Sequence, residues 1–172
     1  MESAGDIMEK SLKPELFITS FDEKQVREYM SQLTNTQDVF GPQQPIMLHI
    51  DNYGGSAFGL IMLYEHIVSL GNPIITYTTS KAMSAGAFLL SIAGTPGMRF
   101  ASPNSTIMVH EIQSAVFPDD IKELEENMKN IKALNEKILT IFAKAVGLRT
   151  AKDVRALIKA RNFDTNSHHF LS

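Results

Sequence analysis

One pattern constrains the fold more than any other: a strand, a glycine-bearing turn and an apolar helix, written twice in succession. Ile46-Met47-Leu48-His49-Ile50 is apolar apart from one histidine, as a parallel strand buried on both faces would be. Asp51-Asn52-Tyr53-Gly54-Gly55-Ser56 then turns, and Ala57 to Leu70 reads as an apolar helix. The β-branched run Pro73-Ile74-Ile75-Thr76-Tyr77-Thr78 repeats the strand, and Ala87, Phe88, Leu89, Leu90 and Ile92 repeat the helix. Two such units call for an α/β fold with parallel strands and helices packed on them, and sites in these sheets form beyond the carboxyl ends of the strands. The turns 51–56 and 79–85 are therefore expected to meet at one edge.

Ser84 stands in the second of these turns, with small neighbours Ala82, Ala85, Gly86 and Ala87. A tight turn that pushes one hydroxyl forward needs small neighbours, and the free N–H groups of the helix that follows face whatever reacts with it. A nucleophilic serine has this setting, and so does the commoner N-cap serine. The glycines at 54 and 55 lack the Gly-x-Gly-x-x-Gly or Gly-Lys-Ser/Thr pattern of a nucleotide site. They do offer a backbone N–H unshielded by a side chain, as an oxyanion donor requires. Thr106 to Val109 reads as a third core strand that ends at His110. A lone strand-end histidine is ordinarily a hydrogen-bonded structural residue; beside a strand-end serine and a glycine turn it also fits an acyl-transfer site.

The remaining segments read as follows. Residues 1–13 are polar and expected to be loose, and the domain is expected to begin at Pro14. Glu15 to Thr19 is a short strand, Asp22 caps a helix with Val26, Met30 and Leu33 on one face, and 35–45 is a loop. From Asp119 to Val146 one long helix is expected, opened by Asp120 with Glu123 and stopped by Gly147. Its stripe of Ile121, Leu124, Met128, Ile131, Ile138, Phe142 and Ala145 has Asn135 as the polar exception, and fits a core helix and a subunit contact equally. Thr150 with Asp153 opens a shorter helix with Val154, Leu157 and Ile158 inward. His168 and His169 belong to a solvated terminal loop, and no third ligand is spaced to make them a metal site.

Composition excludes several classes. The 172 residues contain no cysteine, so disulfides and thiol chemistry are absent. A net charge of -3 gives no electrostatic case for nucleic acid or an anionic membrane. No apolar run reaches the ~18 residues of a membrane helix, and the polar, acidic start is unlike a signal peptide, so a cytoplasmic setting is expected.

Three stretches together resemble the proteolytic subunit of the Clp ATP-dependent protease, the ClpP family. Ile50-Asp51-Asn52-Tyr53-Gly54-Gly55 is similar to its Ile-Asn-Ser-Pro-Gly-Gly turn, and Ser80-Lys81-Ala82-Met83-Ser84-Ala85-Gly86-Ala87 to its Gly-x-Ala-Ala-Ser-Met-Gly-Ala nucleophile box. Met98 to His110 resembles its Lys-Arg-Phe-x-x-Pro-Asn-Ser-x-x-Met-Ile-His segment, the most specific of the three. The resemblance implies a crotonase-like αβ spiral with a protruding handle helix at about 119–146, a serine endopeptidase acting on unfolded polypeptides, and no cofactor. It implies Ser84 as nucleophile, His110 as general base, and the N–H groups of Gly55 and Ala85 as oxyanion hole. It further implies rings that associate through the handle and an AAA+ unfoldase as partner.

Departures qualify this picture. His168-His169-Phe170-Leu171-Ser172 matches the family's Asp-x-Phe-Met/Leu-Ser, so His168 stands where the orienting Asp belongs, with Asp164 and Asn166 as alternatives. Replacing that carboxylate can cost ~10⁴ in rate. The glycine-rich strand after the histidine becomes Glu111 to Pro118 without glycine, and the chain stops where the family continues, as a truncated form would. The alternative reading is a catalytically weak or silent ring subunit. A Ser-Lys peptidase with Lys81 as base leaves His110 without a role, and an acyl-CoA enzyme of the crotonase type needs no Ser84.

Overall fold

The computed structural model describes residues 14–113, 121–160 and 169–171. A four-stranded, all-parallel sheet has the order β1 (Glu15–Ile18), β2 (Ile46–Ile50), β3 (Ile74–Thr78), β5 (Arg99–Ala101). A second sheet has β4 (Lys81–Met83) parallel to β6 (Thr106–Val109), with β7 (His169–Leu171) antiparallel on its other side. The helices are α1 (Glu23–Phe40), α2 (Ala57–Leu70), α3 (Ala85–Ile92), α4 (Ile121–Ala145) and α5 (Ala151–Ala160).

The first repeated unit forms because its turn suits the helix that follows. Ser56 has extended backbone and its hydroxyl accepts from the Gly59 N–H at 3.2 Å, capping α2; Asp22 does the same for α1 through the Gln25 N–H at 3.0 Å. At α5, Thr150 and Asp153 exchange bonds in both directions, as their spacing predicts. The core is one cluster of β1–β3 side chains (Leu16, Ile18, Leu48, Ile50), α1 and α2 residues (Val26, Leu33, Leu60, Leu63) and nearly all of α3. The C-terminal half of α4 closes it through Ile138, Leu139, Phe142 and Ala143, with Phe142 edge-on to Phe88 at 5.1 Å. Arg99 fastens the far end of α4, donating to the Ala145 carbonyl at 2.6 Å, where a helix terminus has spare acceptors.

Four local expectations are corrected. The segment 35–45 is not all loop: α1 runs on to Phe40, because Gln37 reaches Leu70 O and Asn72 on the neighbouring chain segment, while the Thr34 and Thr36 hydroxyls are satisfied within the helix by the Met30 and Gln32 carbonyls. Gly41, at φ 84, then ends it. The strand leading to Ser84 is β4 in the second sheet rather than the 73–78 run. Strand β2 is buried on one face only: Met47 and His49 lie on an outer face where His49 stacks on Phe17 at 4.5 Å. His169, finally, belongs to a strand rather than a loop, with Val109 as its register partner. The N-terminal residues 1–13 and the α4 cap at Asp120 lie outside the described residues, and no described helix is long and apolar enough to cross a membrane.

Candidate active site

Strand β4 delivers Ser84 to the start of α3, and three backbone bonds fix the approach. Asn52 N donates to Lys81 O at 3.1 Å, Met83 N to Asn52 O at 3.1 Å and Ser84 N to Met108 O at 2.8 Å. The two turns and the strand before His110 are thereby joined at one edge, as the repeated units require. Ser84 has φ 52 and ψ -122, the one positive φ at a non-glycine among the described residues. Such a conformation costs roughly 1–3 kcal/mol and collects at functional sites. An N-cap serine would instead be extended, with its hydroxyl on the N–H of the next turn, as Ser56 is. Ser84 makes no side-chain cap bond. Its hydroxyl is thus not engaged by α3, and the tight turn has the form of a nucleophile elbow.

Close approach explains the small residues around it. A Cβ on Gly54 would sit 2.6 Å from Ser84 Cβ and 2.8 Å from Met83 O. One on Gly86 would sit 2.5 Å from Asn52 Oδ1. Asn52, 3% exposed, is the peg between the turns: it donates to Ile18 O at 2.8 Å and accepts from the Gly54 N–H at 2.8 Å. That engages the N–H of Gly54, whereas the Gly55 N–H has no acceptor among the described residues. Gly55 itself, at φ 148, presses on Phe21, 3.0 Å from where a Cβ would be. The N–H of Ala85, in the first turn of α3, has no partner within the helix.

Asp51 ties the same turn to the segment 79–81. Its carboxylate accepts from the Thr79 hydroxyl at 2.5 Å and from the N–H groups of Ser80 (2.6 Å) and Lys81 (3.0 Å). Partial burial pushes the carboxyl up, but the Thr79 hydroxyl and the Ser80, Lys81 and Thr79 N–H groups together hold it far below the usual carboxylate range.

His110 follows β6 directly. Its Nδ1 lies 2.6 Å from the Glu111 carbonyl. A carbonyl only accepts, so Nδ1 carries a proton, and the neutral form of the ring then has its lone pair on Nε2. Ser84, His110, Gly55 and Ala85 all line one cleft of ≈ 420 Å³, whose apolar walls include Leu60, Phe88, Ile112, Leu134 and Ile138. Lys81 is not in its lining; its Nζ lies over the Tyr53 ring, 4.6 Å from the centroid. His168, Asp164 and Asn166 lie outside the described residues. Among the described residues no three His, Asp or Glu side chains cluster to hold a metal ion.

Several residues of this neighbourhood escape a linear reading. Asn52 and Asp51 act through partners some 30 positions away, and only the abutting turns reveal them. Asn135, the break in the α4 stripe, was visible as an anomaly. Its carboxamide accepts from the Ile112 N–H at 3.0 Å and donates to Glu111 at 2.7 Å, which also receives Arg155 Nε at 2.9 Å.

Residues 2–170 match the family described as Clp protease. The chain is also similar to a protein of Bdellovibrio bacteriovorus named ATP-dependent Clp protease proteolytic subunit, 28% identical over 166 residues, covering 94% of this chain and 77% of that one. With the match spanning nearly its whole length, this chain belongs to the Clp protease family.

Proposed function

We propose that this chain is a serine endopeptidase of the Clp proteolytic-subunit kind, cutting unfolded polypeptides by an acyl-enzyme mechanism. The observation that carries the reading is the strained, non-capping Ser84 sharing one cleft with His110, Gly55 and Ala85. Ser84 Oγ attacks a peptide carbonyl while His110 Nε2 takes its proton and then gives it to the leaving amine. Gly55 and Ala85 donate their N–H groups to the oxyanion, each such donor being worth ~10²–10³ in rate. Water, activated by the same histidine, releases the acyl group. The Glu111 carbonyl holds the tautomer this cycle needs, and His168, with Asp164 and Asn166 as alternatives, is the candidate for the third member. The position of Lys81 over Tyr53 favours His110 as base.

The family also supports a crotonase-like spiral, α4 as the handle through which rings associate, and an AAA+ unfoldase that supplies substrate. The absence of a carboxylate at 168 favours one second reading, a ring subunit with little or no activity. Labelling with a fluorophosphonate probe and mass spectrometry separates the two. Label on Ser84 that is lost in Ser84→Ala and His110→Ala is the expected result. A folded, assembled wild type that takes no label overturns the peptidase and leaves the silent subunit.

A further inference from the structure

We propose that Glu111, Asn135 and Arg155 are positioning residues that aim the ring of His110, a role that rests on reading His110 as the base. The ring is oriented through Nδ1 by a main-chain carbonyl, that of Glu111, at 2.6 Å. Its direction therefore follows the peptide plane of the next residue, and that residue lies in a stretch, 110–113, with no regular structure of its own. A carbonyl in a coil orients a histidine only if something else holds the coil.

The described structure supplies that hold on both sides of the peptide. Asn135 Oδ1 accepts from the Ile112 N–H at 3.0 Å, while Asn135 Nδ2 donates to Glu111 Oε2 at 2.7 Å. Arg155 Nε donates to the same carboxylate oxygen at 2.9 Å, and the other arm of its guanidinium bonds Glu136. Asn135 and Glu136 are on α4 and Arg155 on α5, so two helices grip the segment that carries the base. The Arg155 and Glu111 side chains are 28% and 38% exposed, partly withdrawn from solvent screening. The planar fork of arginine is needed because it spans two carboxylates at once, which a lysine point charge does not reproduce. Asn135 also acquires a reason to interrupt an apolar stripe: its carboxamide bonds both to the Ile112 N–H and to the Glu111 carboxylate.

The test uses the full chain with Glu111→Ala, Arg155→Met and the conservative Glu111→Gln, whose amide oxygen still accepts from Asn135 and Arg155. Fluorophosphonate inactivation is resolved into the rate of labelling and the affinity for the probe. Glu111→Ala and Arg155→Met are expected to label about 10²-fold more slowly at unchanged affinity, as a misaimed catalytic group does; Glu111→Gln keeps most of the rate. In parallel, long-range ¹H–¹⁵N spectra of the imidazoles are expected to show His110 protonated at Nδ1 in wild type and Glu111→Gln, and mixed in the two disruptive variants. Unchanged labelling or an unchanged His110 tautomer in both disruptive variants overturns the clamp. A wild type that takes no label overturns the peptidase reading instead, and the His110 spectra then decide the clamp by themselves.

Discussion

Ser84 occupies a backbone conformation that a side chain makes costly, so its replacements separate chemistry from strain. Both Ser84→Ala and Ser84→Gly remove the hydroxyl and are expected to lose all probe labelling. They differ in stability: glycine relaxes φ 52 where alanine does not, and Ser84→Gly should resist denaturant by about 1 kcal/mol more than Ser84→Ala. Equal unfolding midpoints would mean that the turn stores no strain. Asp51 gives a second test at this scale. Its folded carboxyl titrates below the ordinary range, so its contribution to stability is complete above the unfolded value near ~4 and is lost as pH falls through the lower folded value. Asp51→Asn is expected to cost about 1 kcal/mol at pH 7, the low end for bonds to a charged group because the site is partly solvated. The gap from wild type should close below pH ~4 in urea titrations. A gap that stays constant down to pH 3 would rule out the carboxylate charge as its origin.

At the level of elements, what could be read along the chain was whatever local chemistry determines. Apolar runs with glycine turns announced β2 with α2 and β3 with α3, and the Thr150–Asp153 spacing announced α5. The short strands β4 and β7 were not legible, because three residues acquire strand geometry only from a partner strand, and Lys81-Ala82-Met83 has no pattern of its own. The extension of α1 was hidden for a related reason: Gly41, Pro42 and Pro45 mark a loop, and the bonds of Gln37 to the Leu70 carbonyl and the Asn72 side chain exist only once the fold brings those partners alongside. Gly59 shows how tertiary packing can reverse a local preference. Within a helix, Gly→Ala ordinarily gains up to ~1 kcal/mol. Here a Cβ at 59 would lie 2.4 Å from the Phe21 carbonyl, a backbone atom that cannot swing aside. Gly59→Ala is therefore expected to destabilise by about 1–3 kcal/mol, as overpacking does, with a lower thermal midpoint by calorimetry. A raised midpoint would show that α2 is free to shift.

For the molecule as a whole, two apolar surfaces remain that the described chain does not cover. On α4 the buried side chains Ile138, Leu139, Phe142 and Ala143 all lie in the C-terminal half and Leu134 faces the cleft, while Met128 is 47% exposed and Leu124 is only partly covered. On the outer face of the parallel sheet, Phe17 and Phe100 are 62% and 51% exposed at the two ends of a row that runs through His49 and Tyr77. Exposed apolar residues grouped on one face are candidates for association, and the α4 stripe is the surface the proposed ring contact needs. Burying one methionine side chain is worth roughly 1.5–3 kcal/mol, and in a symmetric assembly the same substitution removes that amount at every contact. Met128→Glu goes further, because each copy must also desolvate a charge on association. Light scattering is expected to show wild type as a multiple of the 19.1 kDa chain and Met128→Glu as a smaller species. The isolated fold of the variant should survive, since Met128 contributes nothing to the buried core. A wild type that stays monomeric at high concentration would remove α4 as a ring contact, whereas an unaltered oligomer in Met128→Glu would move the contact to the aromatic face of the sheet.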